Sequence, residues 1–178
     1  MSGHNKWSKI KNKKAVTDAK KSKIFSKMAK LIATASKESK GDTSSPSLRA
    51  AIEKAKSYNM PTDNIDRAVK KGAGADAESM EAVTYEAYGP GGSALVIEAL
   101  TTNRNKAAQE VKHILSKNGF ELAKQGSASW AFVKDPTTND LQPTTTIPLS
   151  EGDGNKLEIL IEELEDNDEV QNVYTNAE

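Results

Sequence analysis

Between Thr17 and Lys37, apolar side chains recur at Ile24, Phe25, Met28, Leu31, Ile32 and Ala35. At 100° per residue they span an arc of about 120°, which predicts an amphipathic helix with one face for a core. Lys20, Lys23, Lys27 and Lys30 fall on a separate arc of about 80°, so they form a row along the same helix. After the turn-rich GDTSSPS, Ser45 suits an N-cap and Pro46 a first helical position. Leu48, Ala51, Ile52 and Ala55 then give the apolar face of a second helix of about twelve residues. A third helix is expected with Thr62 as its cap and Asp63 and Asp66 at the positive end of its dipole. Lys70 and Lys71 suit the negative end, and Gly72 is the expected terminator.

From about Val83 the period changes. VTYEAYGPGGSALVIEALT reads as two strands joined tightly through Gly89-Pro90-Gly91-Gly92. Asn103 then caps a helix carrying Ala107, Val111, Ile114 and Leu115 on one face, with Gly119 at its end. FELA and SASWAFV are β-rich runs on either side of Lys124-Gln125-Gly126. TTTIPL, residues 154–165 and VQNVYTN suggest a further strand, helix and strand. The expected class is α+β: a basic three-helix domain over residues 1–75, then an α+β sandwich over 80–178 with helices on one face of a mainly antiparallel sheet.

Charge sharpens this division. The 178 residues hold 25 Lys+Arg and 25 Asp+Glu, so the formal net charge is zero. Yet residues 1–74 hold eighteen basic against six acidic side chains, and residues 75–178 hold seven against nineteen. Such asymmetry points to a nucleic acid or an anionic surface as partner of one half only. No apolar run approaches the ~20 residues that cross a bilayer, and the lysine-rich start lacks the apolar stretch of a secretory leader. A cytoplasmic protein without a membrane partner is expected. The absence of cysteine removes disulfides, thiolate metal ligands and thiol nucleophiles.

Candidate chemistry follows from the opening GHNKWSKIKNKKAVTDAKKSKIF. Lys6, Lys9, Lys11, Lys13 and Lys14 supply charge for phosphates, and Lys20, Lys23, Lys27 and Lys30 extend it along the first helix. Trp7 offers a flat surface for an unstacked base, or else folds back as a plug on the small bundle. Other motifs give less. The Gly-rich turn at Gly89 lacks the Lys-Ser/Thr of a phosphate-binding loop and leads into a strand. Glu162, Glu163, Glu165, Asp166, Asp168 and Glu169 lack the central Gly of a calcium loop and read as a solvated acidic end. His4 and His113 make no metal pair, and no nucleophile elbow occurs. No catalytic residue, metal or cofactor is therefore expected. The alternatives are a protein-docking module using the acidic half and a hydrolase relying on scattered carboxylates.

GHNKWSKIKNKKAVTDAKKSKIFSKMAKLI, NMPTDNIDRAVKKGAG, TYEAYGPGG, NRNKAAQEVKHILSKNG and DNDEVQNVYTN resemble the successive signature stretches of the YebC family, in the family's order and over most of the chain. The resemblance implies a non-enzymatic regulator of gene expression acting on nucleic acid. The family's members are described as DNA-binding transcriptional regulators, and also as a mitochondrial translational activator and ribosome-associated translation factors. The implied partners are DNA or ribosomal and other structured RNA, with the ribosome or transcription machinery; oligomeric state stays open. Three departures stand out. Where relatives carry an inserted third α/β domain, only a linker at about 134–146 is expected here. The family's acid-Asn-Arg-Asn-Arg-Thr stretch is Thr102-Asn103-Arg104-Asn105-Lys106-Ala107, and its usual strand glycine is Ala87. The basic half has only Arg49 and Arg67 as arginines, whereas base reading in the major groove favours Arg, Asn or Gln. That composition favours structured RNA or ribosomes over a defined promoter.

Overall fold

The computed structural model describes residues 18–178, which fall into two compact units, one ending at Glu81 and one beginning at Ala82. The first contains α1 (Asp18–Ser39), α2 (Pro46–Ser57) and α3 (Thr62–Ala73). Met28, Ile32 and Ala35 of α1 pack with Leu48, Ala51 and Ala55 of α2, with Met60, and with Ile65 and Ala68 of α3. Pro46 opens α2 at a position that needs no N–H donor. Ser45 precedes it without a side-chain capping bond, because its hydroxyl lies 3.2 Å from that of Ser47.

Two expectations for α3 change. Pro61, not Thr62, occupies the capping position. Gly72 does not end the helix, which runs on to Ala73. Its hydrogen serves packing instead: a Cβ there would lie 2.2 Å from the Ala33 carbonyl oxygen and 2.7 Å from Ser36 Cβ. At the same crossing the Ser36 hydroxyl donates to the Val69 carbonyl at 2.6 Å. Only a residue without a side chain lets α1 and α3 approach this closely. Gly72→Ala should therefore destabilise the helical unit. Alanine gains ~1 kcal/mol of helix propensity, but overpacking of ~1–3 kcal/mol outweighs it. Urea unfolding followed by circular dichroism checks this; a raised midpoint would show that the helices separate freely.

The second unit alternates strands and helices: β1 (Glu81–Tyr88), β2 (Ala94–Thr101), α4 (Arg104–Lys117), β3 (Leu122–Ala123), β4 (Phe132–Lys134), β5 (Leu141–Pro143), α5 (Glu151–Asp166) and β6 (Val170–Thr175). The main sheet has the order β3-β1-β2-β6, with β3 antiparallel to β1 and β6 antiparallel to β2. Val111 and Leu115 of α4 and Leu157, Leu160 and Leu164 of α5 bury one sheet face against Ala87, Leu95, Ile97 and Val170. Asn103 caps α4 by accepting from the Lys106 N–H at 3.1 Å. Ser150 caps α5 through the Asp153 N–H, also at 3.1 Å, so this helix starts before the expected residue 154. Gly119, at φ +86°, takes the left-handed position that closes α4.

β2 is buried along almost its whole length, because the opposite face of the sheet is also covered. There Ala94 packs with Ala128, Ala131 and Phe132. The SASWAFV run is not one strand: Ser129–Ala131 is a single 3-10 turn and only Phe132–Lys134 is extended. The expected linker is likewise structured. Phe132, Val133 and Lys134 pair with Pro143, Gln142 and Leu141 in a second two-stranded sheet. At its tip the Asp135 N–H donates to the Asp140 carbonyl at 2.8 Å. Asp135 Oδ1 accepts from the backbone N–H groups of Thr137 and Thr138 at 2.7 and 3.2 Å. Asn139 takes φ +63°, a conformation its short amide tolerates. The Tyr174 hydroxyl donates to Asp140 at 3.2 Å, and burial, reinforced by the charges of Glu98 and Asp140, pushes this phenol well above its ordinary pKa. TTTIPL forms no strand; Ile147 makes one parallel bridge to Ala177. Among the described residues, no helix is long and apolar enough to cross a membrane.

Candidate nucleic-acid interface

Lys6, Trp7, Lys9, Lys11, Lys13 and Lys14 lie outside the described residues. The other expected contacts all sit on α1, whose unbroken 22-residue length carries Lys20, Lys23, Lys27 and Lys30 off the arc that forms the core. The helix does not present them equally. Lys20 is exposed and Lys23 and Lys30 are half-buried, whereas Lys27 is buried at 9% exposure. A wheel drawn on one helix cannot register what else covers a face, and a long amphipathic lysine stem packs readily. Lys27 is thus removed from the surface row.

The two arginines of this unit are not equivalent either. Arg67 is spent within α3, donating to Asn64 Oδ1 at 2.6 Å and to the Asp63 carbonyl at 3.4 Å. Arg49 lies exposed on α2. Lys37 donates to the Ala77 carbonyl at 2.9 Å and to the Ser79 hydroxyl at 2.7 Å, holding down the chain that leaves α3.

The acids of the second unit are partly engaged in holding its helices together. Glu163 on α5 lies 3.4 Å from the Lys117 ammonium of α4 and accepts from the Asn118 amide at 3.1 Å. Glu169 lies 3.5 Å from Lys106. The Glu163–Lys117 pair links α5 to α4 and offsets one of the acids that would otherwise oppose the dipole of α5. His113 is exposed. Among the described residues, no three His, Asp or Glu side chains converge as a metal-binding group.

One arrangement escaped the sequence reading. Glu86 and Tyr88, two apart on β1, face the side of the sheet away from the helices. Glu86 is 4% exposed, and its carboxylate accepts from the backbone N–H groups of Gly126 at 2.5 Å, Ala128 at 2.9 Å and Ser129 at 2.6 Å. Burial pushes its pKa up, but the bonds from Gly126, Ser129 and Ala128 together outweigh it and hold the carboxyl below its ordinary range. The carboxylate thereby fixes the segment bearing Trp130, whose indole N–H is shared between the Ser127 carbonyl at 2.8 Å and the Tyr88 hydroxyl at 2.9 Å. The Tyr88 hydroxyl donates to that same carbonyl. Trp130 remains 61% exposed. The signal available beforehand was an acid in the middle of the β-rich run VTYEAY.

A helical bundle with lysines along one helix, joined in sequence to an antiparallel sheet covered by helices on one face, defines a two-unit α+β protein without a recognisable catalytic constellation among the described residues. Sequence comparison places it more closely. The profile of the TACO1/YebC protein N-terminal domain matches residues 5–75, and that of the TACO1/YebC second and third domain matches residues 80–139 and 135–177. The chain belongs to the TACO1/YebC family. A protein of Syntrophus aciditrophicus named probable transcriptional regulatory protein is 40% identical over 237 residues, covering 99% of this chain and 95% of the relative. A protein of the same name from Petrotoga mobilis is 52% identical over 134 residues, 74% of this chain and 53% of its own. The crystal structure of a conserved hypothetical protein from Aquifex aeolicus superposes with a TM-score of 0.77 at 30% identity, over 90% of this chain and 91% of that one. The first alignment is longer than the 178 residues of this chain, so that relative carries residues without a counterpart here. The two segments matched by the second profile meet at 135–139, the tip of the β4–β5 hairpin.

Proposed function

We propose that this protein is a non-enzymatic, cytoplasmic regulator of gene expression that holds structured RNA, foremost on the ribosome, through its helical unit and without the family's inserted third domain. The observation that carries this reading is the charge partition of the chain, eighteen basic against six acidic side chains in residues 1–74, continued as a lysine row on α1. Lysines neutralise phosphates without reading bases. Of the two arginines available for base reading, Arg67 is committed to its own helix. The names of the relatives support a regulator, and the scarcity of base-reading side chains favours recognition of shape and backbone, as structured RNA permits.

The test is co-sedimentation with ribosomes on sucrose gradients at low salt, beside a promoter-DNA shift assay with excess nonspecific competitor. Ribosome association and a shift abolished by competitor are expected. A competitor-resistant DNA complex without ribosome association would return the reading to sequence-specific transcriptional control.

A further inference from the structure

We propose that Trp130, set by Tyr88 and the Glu86 carboxylate, is a stacking platform for one unpaired RNA base, with Lys124 and Lys134 taking the flanking phosphates. The site lies in the unit whose overall charge is negative, and it deepens the RNA reading above, on which it rests. Its first support is preorganisation. Both polar atoms of the aromatic pair are satisfied at their edges by one carbonyl, so what Trp130 leaves to solvent is its apolar ring surface. Three backbone bonds to a buried carboxylate fix the segment that carries it. A ring already held in place loses little freedom on binding.

The second support is local charge. From Leu122 to Lys134 the sequence contains no acid, and residues 104–134 hold six Lys and Arg against two Glu, although the remainder to residue 178 holds one lysine against twelve acids. Lys124 and Lys134 are both exposed, and neither makes an ion pair among the described residues. The nearest acid in sequence, Asp135, turns its carboxylate to the N–H groups of Thr137 and Thr138. In sequence the exposed ring lies between two exposed lysines, Lys124 six residues before it and Lys134 four after, an order that suits the alternation of base and phosphate along a single strand. A peptide partner would gain from the ring but not from both lysines unless it were acidic.

The experiment compares two labelled RNAs of equal length binding to the full chain by fluorescence anisotropy: a hairpin with an unpaired adenine loop and a fully paired duplex. The unaltered protein should prefer the looped RNA. Trp130→Ala should weaken looped-RNA binding by about 5- to 150-fold, the range one stacked base supplies, and so remove the preference. Trp130→Phe should restore part of it, and Lys124→Gln with Lys134→Gln should lower the salt dependence for the looped RNA. Equal preference in Trp130→Ala and the unaltered chain would overturn the platform and leave the patch to a protein partner. Failure of the unaltered chain to bind either RNA would overturn the wider RNA reading together with it.

Discussion

Replacing Lys20, Lys23 and Lys30 together by Gln should weaken nucleic-acid binding on the order of 100-fold near 0.1 M salt and reduce the salt slope by about 2–3, because each phosphate contact contributes a slope of roughly −0.9. The three lie off the arc carrying Met28, Ile32 and Ala35, so helix content should survive. Lys27 is the internal control. Buried at 9% exposure, it should affect stability more than slope when changed to Gln, although the sequence places it in the same row. Titrations at several salt concentrations, beside thermal melts, separate the two effects. A triple variant with an unchanged slope would remove α1 from the interface.

The largest effect on stability is expected at Glu86. Glu86→Ala strands the N–H groups of Gly126, Ala128 and Ser129 at once. Ala128 is buried, whereas Gly126 and Ser129 are exposed and can turn to water, so with an unsatisfied buried donor worth ~1–3 kcal/mol a loss of about 2–3 kcal/mol is expected. Glu86→Gln, which keeps an acceptor but loses the charge, should lose less. The pH dependence has a definite sign. A carboxyl whose pKa is lowered on folding contributes stability above its unfolded value of about 4.3, and that contribution disappears as pH falls through the lower folded value. Acid unfolding of Glu86→Gln should therefore have a shallower limb below the ordinary carboxylate range. Identical acid limbs in the two proteins would mean that the bonds to Glu86 do not favour its charged form.

Much of the architecture was legible because it rests on periodicity. The apolar residues of α1 and α4, the two β-rich runs around residues 89–92, the cap at Asn103 and Pro46 at the first position of α2 are local signals that the tertiary structure leaves in place. Phe25, on the same arc as Ile32, is only half-buried, because an arc gives direction and not depth. What was illegible depends on partners distant in sequence. Gly72 reads as a terminator until Ala33 is placed against it, and the β-rich composition of SASWAFV yields to Glu86, far back in sequence, which collects the N–H groups of Ala128 and Ser129. DPTTND carries its turn chemistry openly, but that its flanks pair into a hairpin depends on the sheet face beneath. Of the candidate interface, the charge and its helix were readable, whereas the differing burial of the lysines and the setting of Trp130 were not.

The tip of the β4–β5 hairpin bears on how such a protein changes size. Asp135 and Asp140 are joined by a backbone bond of 2.8 Å, so the two stubs at which the matched segments meet already touch. A folded module whose own ends lie close together can be spliced in at this seam, or lost from it, without altering the strand ladder on either side. The entropy of closing the loop grows only slowly with the length inserted. The bond from Tyr174 to Asp140 and the pairing of Lys134 with Leu141 anchor the seam from below, leaving the host sheet indifferent to its cargo. A change of length at this point would thus leave the pairing of β4 with β5 as it stands.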